Sequence, residues 1–272
     1  MGDQEVRDLS TQAPTIGRVM PLAGAATREG QPPRRPEVAL DAAASDGVRA
    51  AGASLAGVRH LSEGTCRQDS FGIFVVQPGR ICVVVVDGLG SRVASHLGAD
   101  LFVDAVGQLT WENQGLAAPA DLLVAASERT EQVAASVYGL SASDIAFVGL
   151  VAVIGPDQGE VARLGDVSAF ALAGDEFTEV FEPDDKFINV VEMSLPNAEA
   201  AHKIEVKPLP PGPMVFATDG LAQDLRTSAA VRAWLADYWR SPLTAFAMGD
   251  SLRYRRQGSH DDRTGVVVWP ST

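Results

Sequence analysis

The stretch DSFGIFVVQPGRICVVVVDG, residues 69–88, decides the architecture. Two apolar runs rich in Val, Ile and Phe, SFGIFVV (70–76) and ICVVVV (81–86), flank Gln77-Pro78-Gly79-Arg80. Apolar runs of this length read as buried β-strands, and the Pro-Gly pair between them reads as a hairpin turn. With the turn centred near Pro78, Asp69 and Asp87 lie equally far from it and face each other across the strands. Directly opposed residues on antiparallel strands have Cα atoms about 4.5–5.5 Å apart, and like charges placed there repel. A hard divalent cation, which takes oxygen ligands, would turn that repulsion into binding.

The same polarity recurs further along the chain. PMVFAT (213–218) runs into Asp219-Gly220, and Asp261-Asp262 precedes RTGVVVW (263–269). Two strands that finish in Asp and two that start after Asp predict four carboxylates at one edge of one sheet. Each Asp-Gly read alone is ordinary turn chemistry; the shared polarity favours a cation site. Oxygen-only donors suit Mg²⁺ or Mn²⁺ rather than zinc. Gly88, lacking a Cβ, lets its carbonyl approach an ion closely. Two ions sharing a carboxylate would acidify a water and neutralise phosphoryl oxygens, the two-metal logic of phosphatases and nucleases. No Ser-His-Asp order, Gly-rich phosphate loop or HExxH helix competes for the role.

Composition narrows the classes further. The 272 residues carry 22 basic and 35 acidic side chains, a net charge of −13, which argues against nucleic acid and anionic membrane as partners. Two cysteines without a CxxC exclude a disulfide framework and a zinc ribbon. Cys82 reads as core; Cys66 either lines the site or is a small buried side chain. The sequence shows neither an apolar run of transmembrane length nor a signal-peptide core, so a cytoplasmic protein is expected.

Residues 1–52 have no sustained period, carry a basic patch at Arg34 and Arg35, and include an Ala/Gly/Ser-rich stretch from Ala42 to Ala56. They read as a disordered leader or linker, with a solvated patch, ahead of a folded domain at 53–272. Within that domain, helical spacing predicts helices from Ser91 to about Leu109, Pro119 to Tyr138, Thr227 to Trp239 and Pro242 to Gln257. Strands are predicted over 146–154, 160–172 and 177–181, and a long irregular stretch over 182–212. The predicted class is α+β, a four-layer α/β/β/α sandwich of two antiparallel sheets flanked by helix pairs.

With these motifs in order, the chain resembles the metal-dependent protein serine/threonine phosphatases of type 2C, and their bacterial branch above all. The resemblance rests on Gly57-Val58-Arg59-His60, GTCRQDS (64–70), VVVVDGLGS (83–91), RLGDVSAF (163–170), VFATDGL (215–221) and SHDDRTGVVV (259–268), and spans about Gly57 to Trp269. It implies that Asp87 bridges two metals and that Gly88 offers its carbonyl to the second. It further implies that Asp219 and Asp261 complete the first ion's shell, that Asp69 holds the second ion directly or through water, and that Asp166 serves a third position. The implied cofactors are two Mg²⁺ or Mn²⁺ ions, with room for a third. The implied reaction is attack on phosphoserine or phosphothreonine by a water held at Asp87, without a phosphoenzyme. Phosphorylated proteins and a bacterial Ser/Thr kinase are the implied partners.

Three positions depart from the pattern. Leu89 stands where many members have a histidine general acid, so no acid is identified. Gly64 and Thr65 occupy the place of a phosphate-binding arginine, leaving Arg67 or Arg59 to contact the phosphate. Gln223 replaces a carboxylate that would help the third metal, with Asp224 one step away. His260 beside Asp261 is either a solvated side chain or a proton carrier; His60 lies near the presumed pocket. The competing readings are a pseudophosphatase that binds phosphoproteins without turnover and a hydrolase of small phosphorylated metabolites.

Overall fold

The computed structural model describes residues 13–19, 35–182 and 193–270. A short strand β1 (Thr15–Ile16) precedes β2 (Val38–Ser45), β3 (Val48–Leu55), helix α1 (Val58–Glu63) and the hairpin β4 (Ser70–Gln77) and β5 (Arg80–Gly88). Helices α2 (Ser95–Glu112) and α3 (Pro119–Val133) lead to β6 (Phe147–Ile154), β7 (Gly159–Leu164), β8 (Ser168–Ala173), β9 (Glu176–Glu179) and β10 (Glu205–Pro208). The last elements are β11 (Met214–Ala217), α4 (Asp219–Thr227), α5 (Ala229–Trp239), α6 (Ala245–Ser251), β12 (Arg255–Arg256) and β13 (Arg263–Pro270).

Two antiparallel sheets face each other, one ordered β10-β7-β6-β5-β4 and the other β2-β3-β13-β11-β8-β9. The continuous apolar runs follow from burial on both faces. In β5, Ile81, Val83 and Val85 point between the sheets, where they meet Met214, Phe216, Val266 and Val268 from the opposite sheet. Their neighbours Cys82, Val84 and Val86 point outward onto α2 and α3, against Phe102, Val106 and Leu122. On the far side, Val215, Val267 and Trp269 pack against Leu225, Leu235 and Met248 of α4, α5 and α6. The predicted four layers are therefore present. At about 25 cal/mol per Å² of apolar surface buried, these three contiguous clusters supply the dominant favourable term in folding.

Several boundaries differ from the sequence reading. The expected domain start at residue 53 falls inside β3, and β2 and β3 occupy residues 38–55 of the expected leader. β3 is an interior strand, paired with β13 from Arg263↔Leu55 to Pro270↔Val48. Its small residues look like linker composition but are packing requirements: a Cβ on Gly52 would stand 2.4 Å from the Phe71 ring, and Ala51 and Ala53 are fully buried. Arg35, read as a solvated charge, is buried, with one guanidinium nitrogen on the Arg67 carbonyl at 2.7 Å and another paired with Asp100 of α2. Arg34 and most of the remaining leader lie outside the described residues.

The predicted strand 160–172 is two strands, because Gly165, at φ 90°, turns the chain between the sheets: β7 pairs with β6 in one and β8 with β11 in the other. The stretch read as irregular contains β10, whose described course pairs with β7. Three helices, not a pair, cover the six-stranded sheet, because α4 begins immediately at Asp219. Among the described residues, no helix is long and apolar enough to cross a membrane.

Candidate metal centre

The predicted hairpin has the predicted register. Ser70 pairs with Val86, and the alternation holds to Val75↔Ile81 before a bulge brings Gln77 opposite Arg80. Continued by one residue, the same register sets Asp69 against Asp87. On the facing sheet, Ala217 pairs with Gly265, so that Asp219 at the end of β11 and Asp261 ahead of β13 share a rim. The carboxylates thus converge from two stacked sheets rather than from one sheet edge. The turn that carries Asp166, between β7 and β8, reaches the same rim.

Two glycines permit this closeness. A Cβ on Gly57, which precedes α1, would lie 2.3 Å from the Asp261 carbonyl carbon, and a Cβ on Gly220 would lie 2.1 Å from the Asp262 carbonyl oxygen. The Asp261-Asp262 segment ahead of β13 is consequently clasped by the start of α1 on one side and the start of α4 on the other. Gly88 closes β5 and backs onto the Gln68 carbonyl and Ser95.

Electrostatics record the convergence. The carboxyl of Asp87 is pushed well above its ordinary range, first by burial and then by the charges of Asp69, Asp219, Asp166 and Asp261. Asp219 is pushed up to about 6 by burial and by Asp261 and Asp166, an effect eased by a hydrogen bond with Asp87. Asp69 is also raised, by burial and by Asp262, against the hydroxyls of Thr218 and Thr264, which each donate to its Oδ2 at 2.7 Å. All of these donors are oxygens, and a dication would reverse each upward shift. The residue types therefore fit a hard metal. Among the described residues, no group of three or more His, Cys, Asp or Glu side chains stands in ready-made ligand geometry. The cluster is a convergence of charge, not a finished coordination shell; Asp69 in particular has one oxygen fully engaged by two hydroxyls.

The phosphate-contact candidates separate sharply. Arg67 is 3 % exposed, and its guanidinium is spent on Ser54 Oγ at 2.6 Å and on the carbonyl oxygens of Asp69 and Pro36. It braces the backbone next to Asp69 and is not available to a phosphate, because burial selects a fully hydrogen-bonded role for so polar a group. Arg59 is exposed, and its Nη2 lies 3.3 Å from where a Cβ on Gly90 would stand, beside the loop that follows Asp87. Leu89 packs against the core between the sheets and carries no proton. Asp224 faces away from the rim, bound to Tyr254 at 2.6 Å, Ser259 at 2.9 Å and Arg256, while Gln223 is exposed.

Asp262 has a role that the sequence reading missed. It is 2 % exposed; its Oδ1 accepts from Gly57 N at 2.7 Å and meets His60 Nδ1 at 2.8 Å, and its Oδ2 accepts from Gln68 N at 2.6 Å. Burial alone would lower the His60 pKa, yet the hydrogen bond and charge of Asp262 outweigh it and raise the value. His60 is thus a buried partner of Asp262, while His260 is exposed. The signal was the doubled aspartate at the mouth of a strand: consecutive side chains point to opposite sides, so only one of the pair can face the rim.

Residues 56–253 match the family described as Protein phosphatase 2C. The chain belongs to that family. As a protein phosphatase 2C it is a metal-dependent phosphoprotein phosphatase. No curated protein matches the chain in sequence. Solved structures share the fold at low identity. RsbX in complex with magnesium aligns over 86% of this chain and 100% of its own at 15% identity and a TM-score of 0.56. PppA, a regulatory component of the type VI secretion system (T6SS) in Pseudomonas aeruginosa, aligns over 84% and 99% at 19% identity and a TM-score of 0.58. The catalytic domain of the serine/threonine phosphatase PstP, in complex with two manganese ions, aligns over 83% and 99% at 18% identity and a TM-score of 0.57.

Proposed function

We propose that this protein phosphatase 2C removes phosphate from phosphoserine and phosphothreonine side chains of proteins, using two Mg²⁺ or Mn²⁺ ions held at the carboxylate rim. The observation that carries this reading is the convergence of aspartates from two stacked sheets on one rim, where burial and neighbouring carboxylates push Asp69, Asp87 and Asp219 upward. Asp87, whose carboxyl is raised by four other carboxylates, would be shared by both ions. Asp219 and Asp261 would hold one ion, Asp69 and the Gly88 carbonyl the other, and Asp166 would serve a third. Bound there, the ions would neutralise phosphoryl oxygens and acidify a water. The magnesium in RsbX and the two manganese ions in PstP support the choice of metal.

The remaining tasks fall to this chain's own groups. Thr218 and Thr264 orient the Asp69 carboxylate through hydroxyls at 2.7 Å. Arg59, exposed beside Gly90, contacts the phosphate of the substrate. Leu89, packed against the core, has no ionisable proton to give the departing alcohol. The partners in this reading are phosphorylated proteins and the bacterial kinase that modifies them, in a cytoplasmic setting.

The test is hydrolysis of p-nitrophenyl phosphate and a phosphothreonine peptide with Mn²⁺. Turnover should vanish in EDTA and fall by about 10² or more in Asp87→Asn. Activity that persists in EDTA, or Asp87→Asn at the wild-type rate, would remove the proposal.

A further inference from the structure

A cavity of about 720 Å³ lies next to the carboxylate rim, between residues 13–19 and the segment joining α6 to β13. One wall is β1, which runs parallel to β12 in the register Thr15↔Arg255 and Ile16↔Arg256 and is pinned by Arg18 N on Gln257 Oε1 at 3.3 Å. The opposite wall is aliphatic, from Leu55, Val58 and Leu61. Asp261 and His260 also line it, so the cavity and the candidate metal centre share Asp261 as a common boundary.

Its charge runs against that of the molecule. On a chain of net charge −13, the described lining of the cavity brings together Arg18, Arg253, Arg256 and Arg263 beside Asp250 and Asp261. The arrangement is built rather than incidental. Arg256 and Arg263 share one carboxylate, the buried Asp224, and Arg263 also donates to the Tyr254 carbonyl at 2.6 Å, so the floor keeps an excess of positive charge in fixed positions. At the mouth, Arg18 is exposed, and Arg253 is 70% exposed and pairs with its neighbour Asp250 at 3.0 Å. Exposed pairs of that kind are weak and easily exchanged for a better anion.

We infer that this cavity seats an acidic segment of the phosphoprotein substrate, flanking its phosphorylated residue, with an aliphatic side chain against Leu55, Val58 and Leu61. The inference rests on the phosphatase reading above and adds to it a preference for sequence context. Opposed charge selects the partner, and continuity through Asp261 places the flanking residues beside the phosphate. A nucleic acid would meet the same arginines, but the chain's net charge of −13 repels an extended polyanion, whereas a short acidic segment is neutralised within the cavity.

The test compares two phosphothreonine peptides of equal length, one flanked by Asp, Glu and Leu and one by Ser, Gln and Leu, with p-nitrophenyl phosphate as a context-free substrate. The variant is Arg18→Glu/Arg253→Glu, which leaves every rim carboxylate in place. Reversal of these two charges at the cavity mouth should raise KM for the acidic peptide about tenfold, with kcat and p-nitrophenyl phosphate turnover unchanged. In parallel, anisotropy of a dye-labelled, unphosphorylated acidic peptide should report salt-sensitive binding to the wild type and its loss in the variant. Equal KM for both peptides in the wild type, an unmoved KM in the variant, or displacement of the labelled peptide by an equimolar single-stranded oligonucleotide would overturn the inference. Loss of all turnover in the wild type would instead sink the phosphatase reading, while the anisotropy measurement would still test the cavity.

Discussion

Replacing Asp262 by Ala should unfold much of what holds the rim together, and the size of the loss can be worked from its contacts. Its two oxygens serve Gly57 N at 2.7 Å, His60 Nδ1 at 2.8 Å and Gln68 N at 2.6 Å, all on the segment that leads into Asp69. A buried donor left without a partner costs about 1–3 kcal/mol, so three such donors set a range of roughly 3–9 kcal/mol before relaxation. Total stability for a domain is about 5–15 kcal/mol. Water can enter beside the half-buried Gln68, and single substitutions rarely exceed about 4–5 kcal/mol. The expected loss is therefore about 3–5 kcal/mol. Asp262→Asn keeps one acceptor oxygen and turns an amide donor towards the other side, which should cost about 1–3 kcal/mol. Urea unfolding of the metal-free proteins measures both, with the slope checked for two-state behaviour. An alanine variant within about 0.5 kcal/mol of wild type, or an asparagine variant as damaged as the alanine one, would refute the clasp.

The same pair should leave a pH signature. Burial opposes ionisation of Asp262, but the hydrogen bond and charge of His60 and the amides of Gly57 and Gln68 hold its pKa below the usual value. A depressed acid contributes stability that is present above its unfolded pKa, about 3.9, and is lost as pH falls through the folded value. His60, whose pKa is raised, contributes fully below about 6.5 and loses that contribution as pH rises through its folded value. The difference between wild type and Asp262→Asn should thus be widest between about pH 4 and 6.5 and narrow on both sides.

Other outcomes follow from the remaining geometry. Arg67→Ala should cost about 2–4 kcal/mol of stability, whereas Arg59→Ala should leave the unfolding midpoint in place and raise KM for p-nitrophenyl phosphate roughly tenfold; the reverse pattern would return the phosphate to Arg67. The upward shifts at Asp87 and Asp219 mean that the metal-free protein binds more protons than its unfolded chain, so the rim's contribution should fall as pH rises from about 4 through 6. Calorimetric melting across that range should show the decline, and saturating Mn²⁺ should abolish it. Deletion of residues 1–52 should give insoluble protein, because it strips β2 and most of β3 from the edge of β13; a soluble, cooperatively melting fragment would restore the boundary at residue 53.

The legible part of this molecule was the part governed by alternation. SFGIFVV and ICVVVV are apolar without a break because each strand is covered on both sides, by the second sheet and by helices. Their turn fixed the register, and the register fixed Asp69 against Asp87. What the sequence could not separate was a small residue placed for packing from one placed for flexibility. Ala51, Gly52 and Ala53 have linker composition, yet they form an interior strand because Phe71 and α6 leave no room for anything larger. The arginines posed a parallel problem. Sequence left Arg67 and Arg59 as equal candidates for the phosphate contact, and burial separates them: Arg67 is enclosed, while Arg59, ten residues from Asp69, stays exposed.

Both cases have one physical root. Composition and spacing report what a residue can do, whereas burial decides which of its capacities is used. An arginine 3 % exposed must satisfy its donors within the protein, so proximity along the chain to a catalytic carboxylate argues for a bracing role as readily as for a chemical one. The doubled aspartate makes the same point from the other side. Asp261 and Asp262 have identical chemistry, but strand alternation sends one to the rim and the other inward, where Gly57, His60 and Gln68 claim it. Burial leaves the charges of Asp87 and Asp219, the proposed metal ligands, uncompensated by any cation among the described residues, whereas His60 and two amides compensate Asp262, which belongs to the frame.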